Sequence, residues 1–155
     1  MICARIEDFA AALPAFGAIL GIDLGEKTIG VAASDVTRAI ASPLLLIERK
    51  SREKDLAALL AAARSREVVG VVYGLPLQMD GEEGERARLT RSFAARIAGA
   101  WDVPTAFWDE RLSTAAVERI LIGEADLSRA RRKQVVDKSA AAFILQGALD
   151  RLRAL

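Results

Sequence analysis

The order of apolar segments along the chain predicts an α/β fold with a central five-stranded mixed sheet flanked by helices. Three short apolar segments come first and are separated by tight turns, as expected for an antiparallel meander. Two further apolar segments follow, each after a segment whose apolar residues have helical spacing. A mixed sheet covered by helices on both faces satisfies this order of elements.

The meander is predicted between residues 18 and 47. Ala18–Asp23 is an apolar run that ends in a carboxylate, and Gly25 marks the turn after it. Thr28–Ala33 is the second predicted strand, and Leu44–Ile47, which follows Pro43, is the third. The first carboxylate of interest therefore lies at the end of a buried strand.

The remainder of the chain alternates helices with strands. Ser51 is the predicted N-cap of a helix over Arg52–Ser65, and the nearly all-apolar Val68–Tyr73 predicts a strand covered on both faces. The loop GLPLQMDGEEG from Gly74 to Gly84 then leads into a helix over Glu85–Ala98, along one side of which lie Leu89, Phe93 and Ile97. The last predicted elements are a strand over Val103–Trp108, a helix over Ser113–Ile122, a polar segment over Gly123–Gln134 and a helix over Val135–Leu152.

The length of 155 residues suits one domain over 1–155, of which residues 1–17 form an N-terminal extension before the first strand. A short amphipathic helix ended by Pro14 is predicted there from the spacing of Ile2, Ile6, Phe9 and Leu13. Cys3 is the only cysteine, which excludes an internal disulfide and suits a reducing compartment. No apolar run approaches the ~20 residues of a membrane helix. We therefore expect a soluble, cytoplasmic protein.

The chain contains no histidine. Its absence excludes Ser-His-Asp and Cys-His chemistry in their usual forms, together with zinc sites built on imidazole. Carboxylates, lysines, hydroxyls and bound hard metals remain. Because the net charge is only +1, contact with a polyanion must come from local clusters of arginine and lysine.

Carboxylates occur where strands or helices begin or end. Asp23 ends the first strand, Asp109 and Glu110 end the fifth, and Asp137 lies in the first turn of the last helix. If these side chains converge they repel one another, and a magnesium ion, which prefers oxygen ligands, removes the repulsion. The alternatives are that Asp137 only favours its helix N-terminus and that Asp109 is only a turn residue.

Four segments together resemble the YqgF family, also called RuvX, of pre-16S rRNA nucleases and Holliday junction resolvase-like proteins. They are GIDLGEKTIGVAASD, GLPLQMDGEEG, WDERLSTAAVE and VDKSAAAFILQGALD, which begin at Gly21, Gly74, Trp108 and Val136. The resemblance implies a ribonuclease H-like fold and a nuclease that uses Mg²⁺ or Mn²⁺. It also implies hydrolysis of phosphodiester bonds at the ends of precursor 16S rRNA during ribosome biogenesis.

Residue by residue, the resemblance implies that Asp23, Glu110 and Asp137 are catalytic and hold the metal. Asp109 is the alternative to Glu110, because successive residues of a strand face opposite sides of the sheet. The sequence leaves the choice between them open.

Substrate contacts are predicted from basic residues near these carboxylates. Lys27 lies in the turn after Asp23, where it either meets a phosphate or is simply solvated. Arg111 follows the acidic pair and either orients a carboxylate or binds the scissile strand. The densest basic cluster adjoins Asp137 and is either a phosphate-binding surface or a solvated loop: Arg129, Arg131, Arg132, Lys133 and Lys138. In the GLPLQMDGEEG loop, Gln78 either contacts substrate or belongs to a purely structural turn.

The predicted partners are structured RNA, above all precursor rRNA, and also branched DNA and ribosomal particles. Three other functions stay open at this stage. A Holliday junction resolvase acts as a symmetric dimer, and a non-catalytic RNA-binding or transcription factor keeps the fold without the chemistry. A phosphotransferase would resemble sugar kinases in its Asp-Leu-Gly turn, but it needs a second lobe that 155 residues do not provide.

Overall fold

A computed structural model describes residues 1–111 and 129–155, with side chains described for 1–111 and 139–155. The described helices are α1 (Ile6–Ala12), α2 (Arg52–Ser65), α3 (Glu85–Ala100) and α4 (Arg129–Arg153). The described strands are β1 (Ala18–Leu24), β2 (Thr28–Ser34), β3 (Ala41–Glu48), β4 (Val68–Leu75) and β5 (Thr105–Asp109). None of the described helices combines the length and hydropathy needed to cross a membrane.

The strands form one sheet in the order β3-β2-β1-β4-β5. β1 pairs with β2, and β2 with β3, in antiparallel fashion, whereas β4 is parallel to both β1 and β5. This arrangement confirms the predicted mixed sheet and its meander. Because β1, β4 and β5 are parallel, their carboxyl ends lie along one edge of the sheet.

Both faces of the sheet are buried, as the apolar strands predict. One face packs against α2 and α3 around Leu20, Ile22, Val71, Tyr73, Leu59 and Phe93. The other packs against α4 and α1 around Ile19, Val72, Ala106, Ile144, Leu145 and Phe9. Alternate residues of each strand therefore contribute to different cores.

Two glycines, one in β1 and one in α4, let α4 approach the sheet closely. A Cβ atom at Gly21 would lie 2.7 Å from Leu145 Cβ, and one at Gly147 would lie 2.7 Å from Trp108 Nε1. Any larger residue would push the helix away from β1 and β5. The close approach brings α4, which includes position 137, against β1, the strand that carries Asp23.

The N-terminal extension belongs to this second layer. Phe9 of α1 is completely buried, and its ring lies close enough to Gly70 that an added Cβ would meet it at 3.1 Å. Ile2 is not part of the helix, contrary to the spacing argument. It forms a parallel bridge with Thr105, because Met1 O and Cys3 N hydrogen-bond to the backbone of that residue at the edge of β5.

Several predicted boundaries differ from the structure. β3 begins at Ala41 and includes Pro43, which an edge strand tolerates because one side of it needs no hydrogen-bond donor. β4 continues to Leu75, which pairs with Asp109, so the loop after it is shorter than predicted. α4 begins at Arg129 rather than Val135, so the basic residues from 129 onward are helical. The helix predicted over Ser113–Ile122 lies outside the described residues.

Leu89 is a further difference. It lies in line with Phe93 and Ile97 along α3 but is 56% exposed. The buried side of α3 is formed instead by Ala87, Thr90, Phe93, Ala94 and Ile97. Leu89 instead lines a surface cavity together with Leu24 and Gly25.

Candidate active site

Asp23 lies one residue before the end of β1 and is half-buried. It shares its face of the strand with Ile19 and Gly21, which contact the α4 layer. Its backbone pairs with Gly30 in β2. The carboxylate therefore reaches the carboxyl edge of the sheet on the side that α4 covers.

Glu110 follows the last residue of β5, and its backbone N–H donates to Leu75 O over 3.1 Å. It lies four residues after Ala106 and two after Trp108, both of which pack in the core between the sheet and α4. The alternation of side chains along a strand therefore places Glu110 on the same side as Asp23. A side-chain hydrogen bond joins the two carboxyl groups.

The surroundings of Glu110 favour its protonated form. Burial raises the pKa of the Glu110 carboxyl, and the charge of Asp109 adds to that effect. The positive charge of Arg86 and the hydrogen bond with Asp23 act in the opposite direction but do not cancel it. Two carboxyl groups this close hold one proton or one cation more easily than two negative charges.

Asp109 has a different partner from Glu110, because it lies with Phe107 on the opposite side of β5. Its Oδ2 lies 2.7 Å from Arg111 Nη2, and its Oδ1 accepts hydrogen bonds from Arg111 Nε and backbone N over 3.0 Å each. The Arg111 guanidinium holds the pKa of the Asp109 carboxyl below its usual value. The structure thus turns Asp109 toward Arg111 and Glu110 toward Asp23.

Arg111 also contacts the loop after β4. Its Nη1 donates to the carbonyl oxygens of Gln78 and Met79 over 3.4 Å each. The loop turns back on itself at Gly81, whose φ of +86° favours glycine and whose N–H donates to Gln78 O. The Gln78 side chain packs against Gly84, where an added Cβ would meet Nε2 at 2.9 Å. The loop is therefore held beside Asp109 by Arg111 and by its own hydrogen bond at Gly81.

Lys27 lies exposed in the turn between β1 and β2, and its backbone oxygen accepts from Arg49 N over 2.9 Å. Arg49 also donates through Nη1 to Gly25 O over 2.8 Å, so it ties the end of β3 to the turn that follows Asp23.

Two arginines were not among the predicted site residues: Arg49, which contacts the turn after Asp23, and Arg86, whose charge acts on Glu110. Arg86 lies in the first turn of α3, which starts close to the carboxyl edge of the parallel strands. That position was the only signal in the sequence.

Asp137, Arg131, Arg132, Lys133 and Lys138 all belong to α4, and their side chains lie outside those described. Within residues 1–111 and 139–155, no three carboxylate or thiol side chains are grouped closely enough to hold a metal ion. The side chain of Asp137, the predicted third ligand, lies outside those residues.

A mixed sheet of this strand order, with two joined carboxyl groups at its carboxyl edge, defines a ribonuclease H-like protein. Solved structures of the same architecture include Thermus thermophilus RuvC in complex with a Holliday junction substrate. It is 16% identical with a TM-score of 0.56, and the alignment covers 88% of this chain and 96% of that one. The fowlpox virus Holliday junction resolvase aligns at 16% identity and a TM-score of 0.51, over 89% and 99% of the two chains.

This chain belongs to the RuvX family, whose profile, described as Holliday junction resolvase, matches residues 17–151. A relative from Ruegeria pomeroyi is 56% identical over 155 residues, which is the whole of both chains. One from Rhodobacter capsulatus is 57% identical over 152 residues, or 98% of this chain and 95% of that one. Both carry the name "Putative pre-16S rRNA nuclease". Residues 1–16 thus precede the family profile but are included in the alignment with the Ruegeria protein.

Proposed function

We propose that this protein is a metal-dependent nuclease that hydrolyses phosphodiester bonds at the ends of precursor 16S rRNA. The single observation that supports this most strongly is the joining of Asp23 and Glu110 at the carboxyl edge of the sheet. The membership of the RuvX family and the names of the relatives support the substrate.

The residues at this edge suit a divalent cation. Asp23 and Glu110 offer only oxygen atoms, which Mg²⁺ and Mn²⁺ prefer, and burial makes two uncompensated charges there costly. We assign Asp23 and Glu110 as ligands and Asp137 of α4 as the third, the last from its sequence motif. The bound ion would supply a water of lowered pKa and neutralise charge on the phosphate.

The other residues at the edge have positioning and binding roles in this proposal. Asp109 is left out of the ligand set because its oxygens bind Arg111. The Asp109–Arg111 pair fixes the backbone on both sides of Glu110 and holds the loop at Gln78. Lys27 and the basic residues of α4 at positions 131, 132, 133 and 138 are assigned to the phosphates of the substrate.

The decisive experiment compares the wild-type protein with Asp23→Asn and Glu110→Gln on RNA that carries precursor 16S ends, with Mg²⁺, Mn²⁺ or a chelator. Both variants and the chelator are expected to abolish cleavage while RNA binding persists. Glu53→Gln, which neutralises an exposed carboxylate on α2, serves as the control and should cleave normally. Undiminished cleavage by Asp23→Asn would remove the proposal.

A Holliday junction resolvase is the second candidate, favoured by the description of the family profile and by the resolvase-like fold. Synthetic four-way junctions in the same assay separate the two. Symmetric paired cuts in the junction, together with no trimming of precursor RNA, would favour the resolvase. Binding of RNA without cleavage of either substrate would indicate a non-catalytic RNA-binding factor.

A further inference from the structure

A groove runs between α2 and α3, on the side of the sheet away from α4. It consists of two adjoining cavities of about 470 and 150 Å³, which share Glu26, Arg49 and Leu89. The smaller cavity reaches Leu24 and Gly25, the two residues that follow Asp23, and is bordered by Arg86. We call this feature the α2–α3 groove.

The near end of the groove adjoins the proposed active site. Leu24 and Gly25 continue the chain directly from Asp23, and the positive charge of Arg86 acts on Glu110. A strand whose scissile phosphate lay at the carboxylates would therefore cross the carboxyl edge of the sheet to enter the groove. The groove leads away from the site toward Arg52 and Arg96.

The walls of the groove are mainly basic. Arg49 is anchored, because its Nε lies 3.9 Å from the buried Asp55 and its Nη1 donates to Gly25 O. Arg52 and Arg96 are exposed, and no carboxylate among the described side chains forms a salt bridge with either of them. By contrast, the neighbouring Arg88 and Arg91 of α3 pair with Glu85 and Glu83. Arg52 and Arg96 thus line the groove, whose described acidic residues are Glu26, Glu85 and the buried Asp55.

The floor of the groove is apolar. Leu89 lines both cavities and is 56% exposed, although it is a large hydrophobic side chain. Phe93 lies beneath it, and the Arg49 guanidinium stands 5.9 Å above the centre of that ring. A basic wall beside an apolar floor suits a single strand, whose phosphates contact arginine while an unpaired base packs on the floor. A duplex would keep its bases inside and leave Leu89 uncovered.

The length of the groove also suits several nucleotides. Arg86 and Arg96 lie ten residues apart on α3, which corresponds to about 15 Å along the helix axis. A stacked strand rises ~3.4 Å per nucleotide, so this distance spans roughly four of them.

We propose that the α2–α3 groove binds the single-stranded segment of nucleic acid that flanks the cleaved bond. Arg52 and Arg96 contact its phosphates, and Leu89 supports a base. This inference rests on the proposed nuclease function but concerns binding only, so it can be tested without cleavage.

The experiment measures binding of fluorescently labelled single-stranded RNA, single-stranded DNA and the matching duplex by anisotropy, in chelator and over a range of salt concentrations. Arg52→Ala/Arg96→Ala is compared with the control Arg64→Ala/Arg66→Ala. The control removes the same charge from the opposite end of α2, outside the groove. Circular dichroism melts verify that both variants are folded.

The groove variant is expected to bind single strands on the order of tenfold more weakly, with a salt slope lower by about 1.4 for two lost phosphate contacts. Leu89→Ala should weaken single-strand binding without changing that slope. Arg52→Lys/Arg96→Lys should retain most of the single-strand binding that the alanine variant loses. RNA and DNA strands should respond alike, because phosphates and base faces are common to both.

Equal binding by the groove variant and its control would overturn the proposal, as would a failure of the wild-type protein to bind single strands. An equal loss of duplex binding would assign the groove to duplexes and overturn it too. If the groove variant binds normally while the wild-type protein cleaves precursor RNA, only the groove assignment fails. If the groove variant loses binding but the wild-type protein cleaves nothing, only the nuclease proposal fails.

Discussion

Glu110 shares a side-chain hydrogen bond with Asp23, which lies two strands away across the sheet. The contact depends on the register of β5, in which Trp108 pairs with Gly74 of β4 and the strand ends one residue later, and on β4 lying beside the end of β1. Its neighbour Asp109 faces the other way and binds Arg111. Adjacent carboxylates thus have different partners, and this difference can be tested.

The first prediction contrasts these two carboxylates. Glu110→Gln is expected to abolish cleavage of precursor RNA, because it removes a proposed metal ligand. Asp109→Asn should cost only about 10–100-fold, since it weakens a contact that positions the site. The rate of cleavage at saturating Mg²⁺ measures both. A larger loss in Asp109→Asn than in Glu110→Gln would reverse the assignment.

The second prediction concerns the loop held by Arg111. Arg111→Ala removes the contacts with Gln78 O and Met79 O, so backbone amides between residues 76 and 84 should exchange with deuterium faster. Arg88→Ala removes a comparable exposed ion pair with Glu85 and is the control. Mass spectrometry of the exchanged peptides measures the change. Unchanged protection in Arg111→Ala would show that the loop is held by its own hydrogen bonds alone.

The third prediction concerns acid stability. Backbone N–H groups of Ile40 and Ala39 and the Thr37 side chain bind Asp35, which lowers the pKa of its carboxyl to about 2. A depressed folded pKa gives stability that is present above the unfolded value near 4 and is lost as the pH falls toward 2. The melting temperature of the wild-type protein should therefore exceed that of Asp35→Ala at pH 6. A difference that stays constant from pH 4 to pH 2 would contradict this origin.

The fourth prediction compares two glycines in helices. Gly147→Ala places a methyl group 2.7 Å from Trp108 Nε1 and should lower the free energy of unfolding by about 1–3 kcal/mol through overpacking. Gly99→Ala adds a methyl group with nothing within 4 Å of it. The better helix propensity of alanine should therefore raise the free energy of unfolding by up to ~1 kcal/mol. Urea unfolding measures both changes. Stabilisation by Gly147→Ala would mean that α4 can move away from β5 at little cost.

Much of the fold follows from local sequence. The five strands, the helices before β4 and β5, and the order of the elements are all visible in the spacing of apolar residues. The position of Asp23 at the end of a buried strand follows in the same way. Boundaries at Ala41 and Arg129 do not, because edge strands and helix ends depend on what packs beside them.

The sequence by itself determined that carboxylates follow two apolar strands, because strand ends are encoded locally. The parallel pairing of β1, β4 and β5 in the tertiary structure decided that both carboxylates reach the same edge of the sheet. Tertiary structure decided which of Asp109 and Glu110 meets Asp23, since a period of two separates neighbours without saying which face each occupies. It also decided that Leu89 stays exposed and that Arg86 acts on Glu110. Those outcomes depend on how α3 and α4 pack against the sheet, and that packing is set by contacts between residues far apart in the chain.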